Sequence, residues 1–481
     1  VKKVAILAVG LVLARPAAAQ DGSTVEVLSL ERALTTAFEN SRALEQARYG
    51  LRVADQQVRE AWSNVLPDIT ASASYSRNLM VQQAFLPAFI FDPNAPPDEL
   101  VPVRFGSDNT WQAGLSLEQP LFQWNVIIGV GAAGRYRALE RERVRGVSHG
   151  VVESVRLAYL EALLAAEEVR LTQHSVDRVR RTLEETRGLN RAGLASDYDV
   201  LRLEVQAANL APVLSRAGNT LAAAKRTLLV TIGRDPLAPI ELEGRLNEMN
   251  VLALGQNSAG HQVLLRLAGY TEPNALQADQ AWQTARQSRS DLRQARLAVD
   301  LERARLGAER AEYFPKLSVF SNYSLVAQEN GSPDFFGSAN QRAKSAVAGV
   351  RVELPVFNGF GREARVRQAQ AIVGQAGARL DQLEQEALRE VHTLVADARE
   401  ARERVEGQER AVAQARRGFE IASAEYRAGL GSQLQVTDAE VALRQAEYNY
   451  ARAVYDVLVA GARLDNAVGS VPTQVSSFVL P

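Results

Sequence analysis

Cysteine is absent from all 481 residues, which excludes disulfides, a thiolate zinc site and a lipidated N-terminal Cys. Methionine occurs only as Met80 and Met249, and the four histidines (His149, His174, His261 and His392) show no ligand spacing. A relay for soft metal ions would want such side chains in clusters, so no metal or other cofactor is expected. Charge of one sign is also missing: the formal net charge is −1, which offers no basic field for nucleic acid. Only five of the 55 basic residues are Lys, a bias that carries no functional information. Aromatic residues are scarce at 6% while apolar residues reach 46%, because Ala is abundant. Such a chain favours close-packed helices over a bulky core. Beyond Leu13 there is no apolar run long enough for a membrane-spanning helix.

What is present begins with "VKKVAILAVGLVLARPAAAQ": a Lys2–Lys3 start, an apolar run over Val4–Leu13 and Ala17–Ala19. This pattern predicts a secretory signal peptide over 1–19 and an exported chain. The mature chain repeats itself. "NRAGLASDYDV" (190–200) returns as "YRAGLGSQLQV" (426–436), with Arg191/Arg427, Ala192/Ala428, Gly193/Gly429, Leu194/Leu430, Ser196/Ser432 and Val200/Val436 identical. A Gly after a helical run, a short loop and a Ser before the next run predict a helix–turn–helix tip. At an offset of 248, Leu44 meets Leu292, Pro67 meets Pro315 and Tyr75 meets Tyr323. At 235, Gly114 meets Gly349, Glu118 meets Glu353 and Pro120 meets Pro355. Several blocks in one order predict a tandem duplication, with a first repeat over 20–231, a joining segment over 232–280, a second repeat over 281–470 and a tail over 471–481.

Each repeat reads as helix, strand, loop, strand, long helix, tip, helix. Ile69, Ala71, Ala73 and Tyr75 alternate with Thr70, Ser72 and Ser74, and Trp111, Ala113, Leu115 and Leu117 alternate with Gln112, Gly114 and Ser116. Period two predicts strands at about 68–80 and 110–119, and their counterparts at about 316–327 and 345–354. First helices are expected at about 38–66 and 286–314, and "FDPNAPPDELVP" (91–102) reads as a loop. Long helices follow at about 122–190 and 358–428, each roughly 100 Å at ~1.5 Å per residue. Leu380, Leu383, Ala387, Val391, Leu394, Ala398 and Ala401 step by three and four, a coiled-coil stripe. Shorter helices close each repeat at about 198–231 and 433–468.

Strands of about ten residues with one apolar face fit either a half-buried soluble sheet or an outer-membrane barrel. The long helices favour the second, because strands at their far ends have no globular core to pack on. Four strands cannot close a barrel, which begins at about eight; three chains supply about twelve and leave no edge in lipid. A homotrimer is the smallest such ring with a pore.

These features resemble the outer-membrane factor family, the TolC-like export ducts of Gram-negative bacteria. The likeness rests on "LERALTTAFENS", "RSDLRQARL", "LPDI" and "FPKL" at strand starts, "EQPLF" and "ELPVF" at strand ends, and the two tips. It implies a mixed α and β membrane protein: a trimeric 12-stranded barrel continued by a periplasmic α-helical coiled-coil barrel. It also implies an outer-membrane location with a large periplasmic part, and as partners a periplasmic adaptor, an inner-membrane pump of RND or ABC type and outer-membrane lipid. By motif position Tyr426 corresponds to a gate tyrosine and Asp199 to its acidic partner on the neighbouring hairpin. The family's pair of pore carboxylates falls on Gln435 and Asp438, and its basic residue after the tip glycine falls on Gly431, with Arg427 a substitute nearby. Arg191, Gly193, Leu194, Ser196, Gly429, Leu430 and Ser432 fall on the adaptor-docking tips.

"GVGAAG" (129–134) and "GVSHG" (146–150) match a dinucleotide fingerprint and a nucleophile elbow. Each needs a preceding strand, yet both fall inside the first long helix, and the second repeat builds the same helix without them. Close helix packing is the expected reason for these glycines. The chain is therefore read as a passive export duct and not an enzyme, the alternative being a soluble periplasmic coiled-coil scaffold.

Overall fold

A computed structural model describes residues 26–96, 98–270, 277–337 and 339–470. The expected signal peptide and the 471–481 tail lie outside the described residues. In chain order the elements begin with β1 (Glu26–Leu28), α1 (Leu30–Asn40), α2 (Arg42–Ser63), β2 (Asp68–Arg77), β3 (Gln83–Pro87), β4 (Leu100–Arg104) and β5 (Asn109–Phe122). Helices α3 (Trp124–Arg191) and α4 (Asp197–Thr231), strand β6 (Ile240–Leu242) and helices α5 (Ala259–Ala268), α6 (Ala278–Ser288) and α7 (Ser290–Ala311) follow. Strands β7 (Lys316–Glu329) and β8 (Arg342–Glu353) lead into α8 (Gly361–Arg427) and α9 (Gln433–Val468). Two compact units result, one of Val1–Arg42, Ser148–Gln283 and Glu390–Pro481, the other of Ala43–Val147 and Thr284–Arg389.

The second unit carries a four-stranded antiparallel sheet in the order β2-β5-β7-β8. Its register aligns the apolar alternation of all four strands. Tyr75 pairs with Trp111, Leu115 with Tyr323, Tyr323 with Ala346 and Val319 with Val350. One face is thus largely apolar, interrupted by Ser321 between Leu117 and Ala348 and by Lys344 and Arg342 at one end of β8. Its side chains are open: Ile69, Leu115, Tyr323, Val350 and Val352 are all exposed. On the other face a Cβ on Gly349 would come within 2.9 Å of the end of the Phe320 ring, so a side chain there would require that ring to shift. Arg351 covers that ring at 4.9 Å.

The loop reading of 91–102 needs correction only at its end, where Leu100–Pro102 belong to β4, which pairs with β3 as an antiparallel hairpin. Phe85, Phe89, Ile90 and Phe91 stand exposed on that excursion. The expected single first helix is also two helices, broken at Ser41, and its counterpart breaks at Arg289. Both residues are extended, with ψ 112° and 123°, and neither break is marked by Gly or Pro. The two positions are 248 apart, the same spacing that relates Leu44 to Leu292.

In the first unit, β1 and β6 form a parallel pair, so the joining segment is folded rather than a bare linker. Leu28, Leu30, Leu228, Leu229, Ile232, Leu246 and Met249 are fully buried around it. Burying each such side chain contributes about 1.5–3 kcal/mol. Tyr159 is buried beside them, and its hydroxyl reaches Glu243 O at 2.7 Å and Leu28 O at 3.0 Å. That burial pushes the phenol well above its ordinary range. Toward the tips the seam between α3 and α4 is Val176, Val179 and Leu183 against Leu203 and Leu210. In α8 the buried stripe is Ala387, Val391, Val395, Ala398, Ala401 and Val405.

Candidate functional site

Two hairpin tips in the first unit carry the residues singled out by the duplication. They share one geometry. Gly193 and Gly429 have φ of 74° and 73°, a left-handed turn that a side chain strains. Leu194 N donates to Leu189 O at 2.8 Å and Leu430 N to Glu425 O at 2.9 Å, closing the helix ends in the same way. Each new helix then opens with a capping box, Ser196 with Asp199 and Ser432 with Gln435. The tip leucines are left bare: Leu194 is 76% and Leu430 83% exposed. Arg191 and Arg427 behave alike too, each donating from Nε to a carbonyl one turn back in its own helix.

The capping boxes redefine two candidates. Asp199 accepts from Ser196 N and Oγ at 3.3 and 2.8 Å, and Gln435 accepts from Ser432 N at 2.7 Å. Within the chain Tyr426 does not meet Asp199; its hydroxyl lies 3.1 Å from Thr186 Oγ1 on α3. Asp438 is exposed one turn further along α9, and its carboxylate has no hydrogen bond or ion pair among the described residues.

A buried polar cluster behind the tips escaped the sequence reading. Glu440 is 3% exposed. It accepts a hydrogen bond from Ser175 Oγ and lies 3.2 Å from the Arg178 guanidinium. Glu447 joins from 3.8 Å and is itself 3.6 Å from Arg416, so α3, α8 and α9 are tied together. The available signal was Glu440 itself, one turn after Val436 and three residues before Leu443 on the apolar stripe of α9. A second network sits deeper: Arg156, 1% exposed, holds Asp465 at 2.9 Å, and Asn466 donates to Glu153. Desolvation raises the carboxyl pKa of both Glu153 and Asp465, against the pull of Arg156 on Asp465.

The enzyme-like motifs dissolve into α3. Ser148 is 1% exposed inside that helix. A Cβ on Gly146 would come within 2.6 Å of Ser290 Oγ, so that glycine does serve packing. Among the described residues nothing comes within 4 Å of a Cβ on Gly129 or Gly134, so close packing there does not explain them. Among the described residues no three His, Cys, Asp or Glu side chains cluster as a metal site, and no helix is long and apolar enough to cross a membrane.

The family model described as "Outer membrane efflux protein" matches residues 33–234 and 281–470. The chain is 26% identical over 358 residues to the alkaline protease secretion protein AprF of Pseudomonas aeruginosa, covering 74% of this chain and 69% of that protein. It is 22% identical over 468 residues to the outer membrane efflux protein BepC of Brucella suis, covering 97% and 89%. Its fold matches the solved outer membrane protein VceC of Vibrio cholerae with a TM-score of 0.69 at 19% identity, over 92% of this chain and 96% of that one. With its matched segments running through both hairpins and the four-stranded sheet, the chain belongs to the outer membrane efflux protein family and is an export duct of the Gram-negative outer membrane.

Proposed function

We propose that three copies of this chain close a 12-stranded barrel and conduct substrate passively from a periplasmic adaptor and inner-membrane pump to the cell exterior. The observation that carries this reading is the open sheet: β2 and β8 are its edges, with no strand beside them among the described residues. Open edges cannot stand in lipid, where each unpaired backbone group costs several kcal/mol. An apolar face left exposed over four strands asks for lipid in the same way. Edge β8 of one copy against β2 of the next closes both edges by a heterologous, ring-closing contact, and lipid covers the apolar face. A soluble scaffold would have to leave that face in water and is not favoured.

The tandem duplication gives each copy two tips and the ring six. The shared tip geometry and the helix breaks 248 residues apart support it. In this reading Arg191, Gly193, Leu194 and Ser196, with Gly429, Leu430 and Ser432, form the adaptor-facing rim. Asp438 lines the constriction beside Gln435, while Tyr426, Asp199 and Arg427 belong to the gate. Whether the cargo is a small molecule or a protein is set by the pump, since the duct serves both.

Native mass spectrometry of the detergent-extracted protein tests the assembly. A species of three mature chains is expected; a stable monomer removes the ring closure on which the reading depends.

A further inference from the structure

Between α3 and α8, close to the tips of the first unit, lies a cleft of about 260 Å³. Arg178, Arg181, Thr182 and Glu185 line it from α3, Phe419, Ser423, Tyr426 and Arg427 from α8, and Val436 closes it. Thr182 donates to Arg178 O and the Tyr426 hydroxyl is engaged with Thr186, but four other groups in this wall have donors to spare. Arg181 and Arg427 spend only Nε, on the carbonyls of Asp177 and Ser423 at 3.3 and 3.1 Å. Neither guanidinium has an ion-pair partner among the described residues. Arg178 Nε and Ser423 Oγ are buried without any hydrogen-bond partner. Buried donors left unmade are costly, and a guanidinium fork fits a planar carboxylate with two parallel bonds. Glu185 is the single acid in the wall, since Glu440 and Glu447 face Arg178 from behind.

We propose that this cleft binds a carboxylate, the Asp or Glu side chain of a helix on the docking partner, held by the free forks of Arg181 and Arg427 with Ser423 and the buried edge of Arg178 beneath. The partner is chosen by charge complementarity: two unpaired guanidiniums in a narrow cleft favour an acid and repel a Lys or Arg. The site would add a specific polar contact to the bare leucines of the tips and would select acidic partner helices over basic ones. It rests on the adaptor-docking reading of the tips, and it goes beyond that reading by naming the chemistry.

Glutarate, a soluble stand-in for an acidic side chain, is titrated by calorimetry into the full chain in detergent, with chloride at matched ionic strength as control. Saturable binding is expected, weakened about tenfold or more in Arg181→Gln/Arg427→Gln and by less in Arg181→Lys/Arg427→Lys, which keeps the charge but loses the fork. Both arginines are exposed, so the variants are expected to fold. A purified periplasmic adaptor that binds the unmodified channel is expected to lose a similar factor in the Gln variant and to compete with glutarate. Absence of saturable glutarate heat overturns the site. Glutarate binding with unchanged adaptor affinity in the Gln variant overturns the partner side chain as its occupant. Mass of the same preparations reports separately on the duct. The single variant Arg181→Gln, which leaves the gate residue Arg427 in place, is expected to weaken glutarate and adaptor binding at unchanged conductance, so a change of the gate would not be mistaken for failure of the cleft.

Discussion

The Arg178 guanidinium lies 3.2 Å from the carboxylate of Glu440, across the α3–α9 seam and out of water. Ser175 donates to the same carboxylate, so the charge is held by one ion pair and one hydroxyl. Breaking a buried pair by deleting one partner strands the other, at about 3–5 kcal/mol; here Glu447 at 3.8 Å keeps part of the Arg178 charge paired and lowers that cost. Glu440→Ala should therefore destabilise the first unit strongly. Replacing the pair together, Arg178→Met/Glu440→Leu, should cost much less, because no charge is left without a partner. Thermal unfolding of the two variants checks this; an Ala variant as stable as its parent would show that the pair holds nothing.

Glu153 and Asp465 give a dependence on pH whose sign is set by burial. Desolvation raises the Glu153 carboxyl above its ordinary 4.5, outweighing the Asn466 hydrogen bond. A folded-state pKa above the unfolded one means the folded chain holds the proton more tightly. The resulting stability is full below about 4.5 and is lost as pH rises through the raised value. Glu153→Gln keeps an oxygen for Asn466 and removes the charge. Its melting temperature relative to the parent should therefore be higher at pH 7 than at pH 4. An equal difference at both pH values would place Glu153 in water.

The sheet was legible in the sequence because its cause is local: alternation in Ile69–Tyr75 and Trp111–Leu117 writes the apolar face directly, and the register aligns it. The tips were legible because Gly193 and Gly429 are needed for a left-handed turn. The breaks at Ser41 and Arg289 were not, since the apolar spacing runs through them and neither residue disfavours a helix strongly. The β3–β4 hairpin hid in a proline-rich stretch whose pairing partners lie 13 to 21 residues apart. Asp199 and Gln435 looked like free polar groups; three residues after a Ser, they are also capping-box positions, and that local bond won. The Glu440 cluster depends on which helices meet, which one helix's periodicity does not record.

At the tips, conformation and contact can be separated. Gly429→Ala places a Cβ at a φ of 73° and should cost about 1–2 kcal/mol of local stability. Leu430→Ser, at a side chain 83% exposed, should change stability by less than about 0.5 kcal/mol. If the tips are the docking rim, the Ser variant nevertheless loses export, and loses more when combined with Leu194→Ser. Thermal unfolding and an export assay on the same strains decide the matter. Full export from the double variant would move docking away from the leucines.

Asp438 tests the pore itself. Its carboxylate is unengaged among the described residues, one helical turn past the capping box that occupies Gln435. Three copies around a narrow axis would bring like charges together and repel anions, favouring cation passage. Asp438→Ala should raise single-channel conductance or reduce the preference for cations in a planar bilayer. Asp438→Asn separates charge from size: it keeps the shape, so a matching loss of cation preference assigns the effect to charge. If both variants show the parent's current–voltage curve and reversal potential, Asp438 lies on the outer surface of the helices and the constriction is built elsewhere.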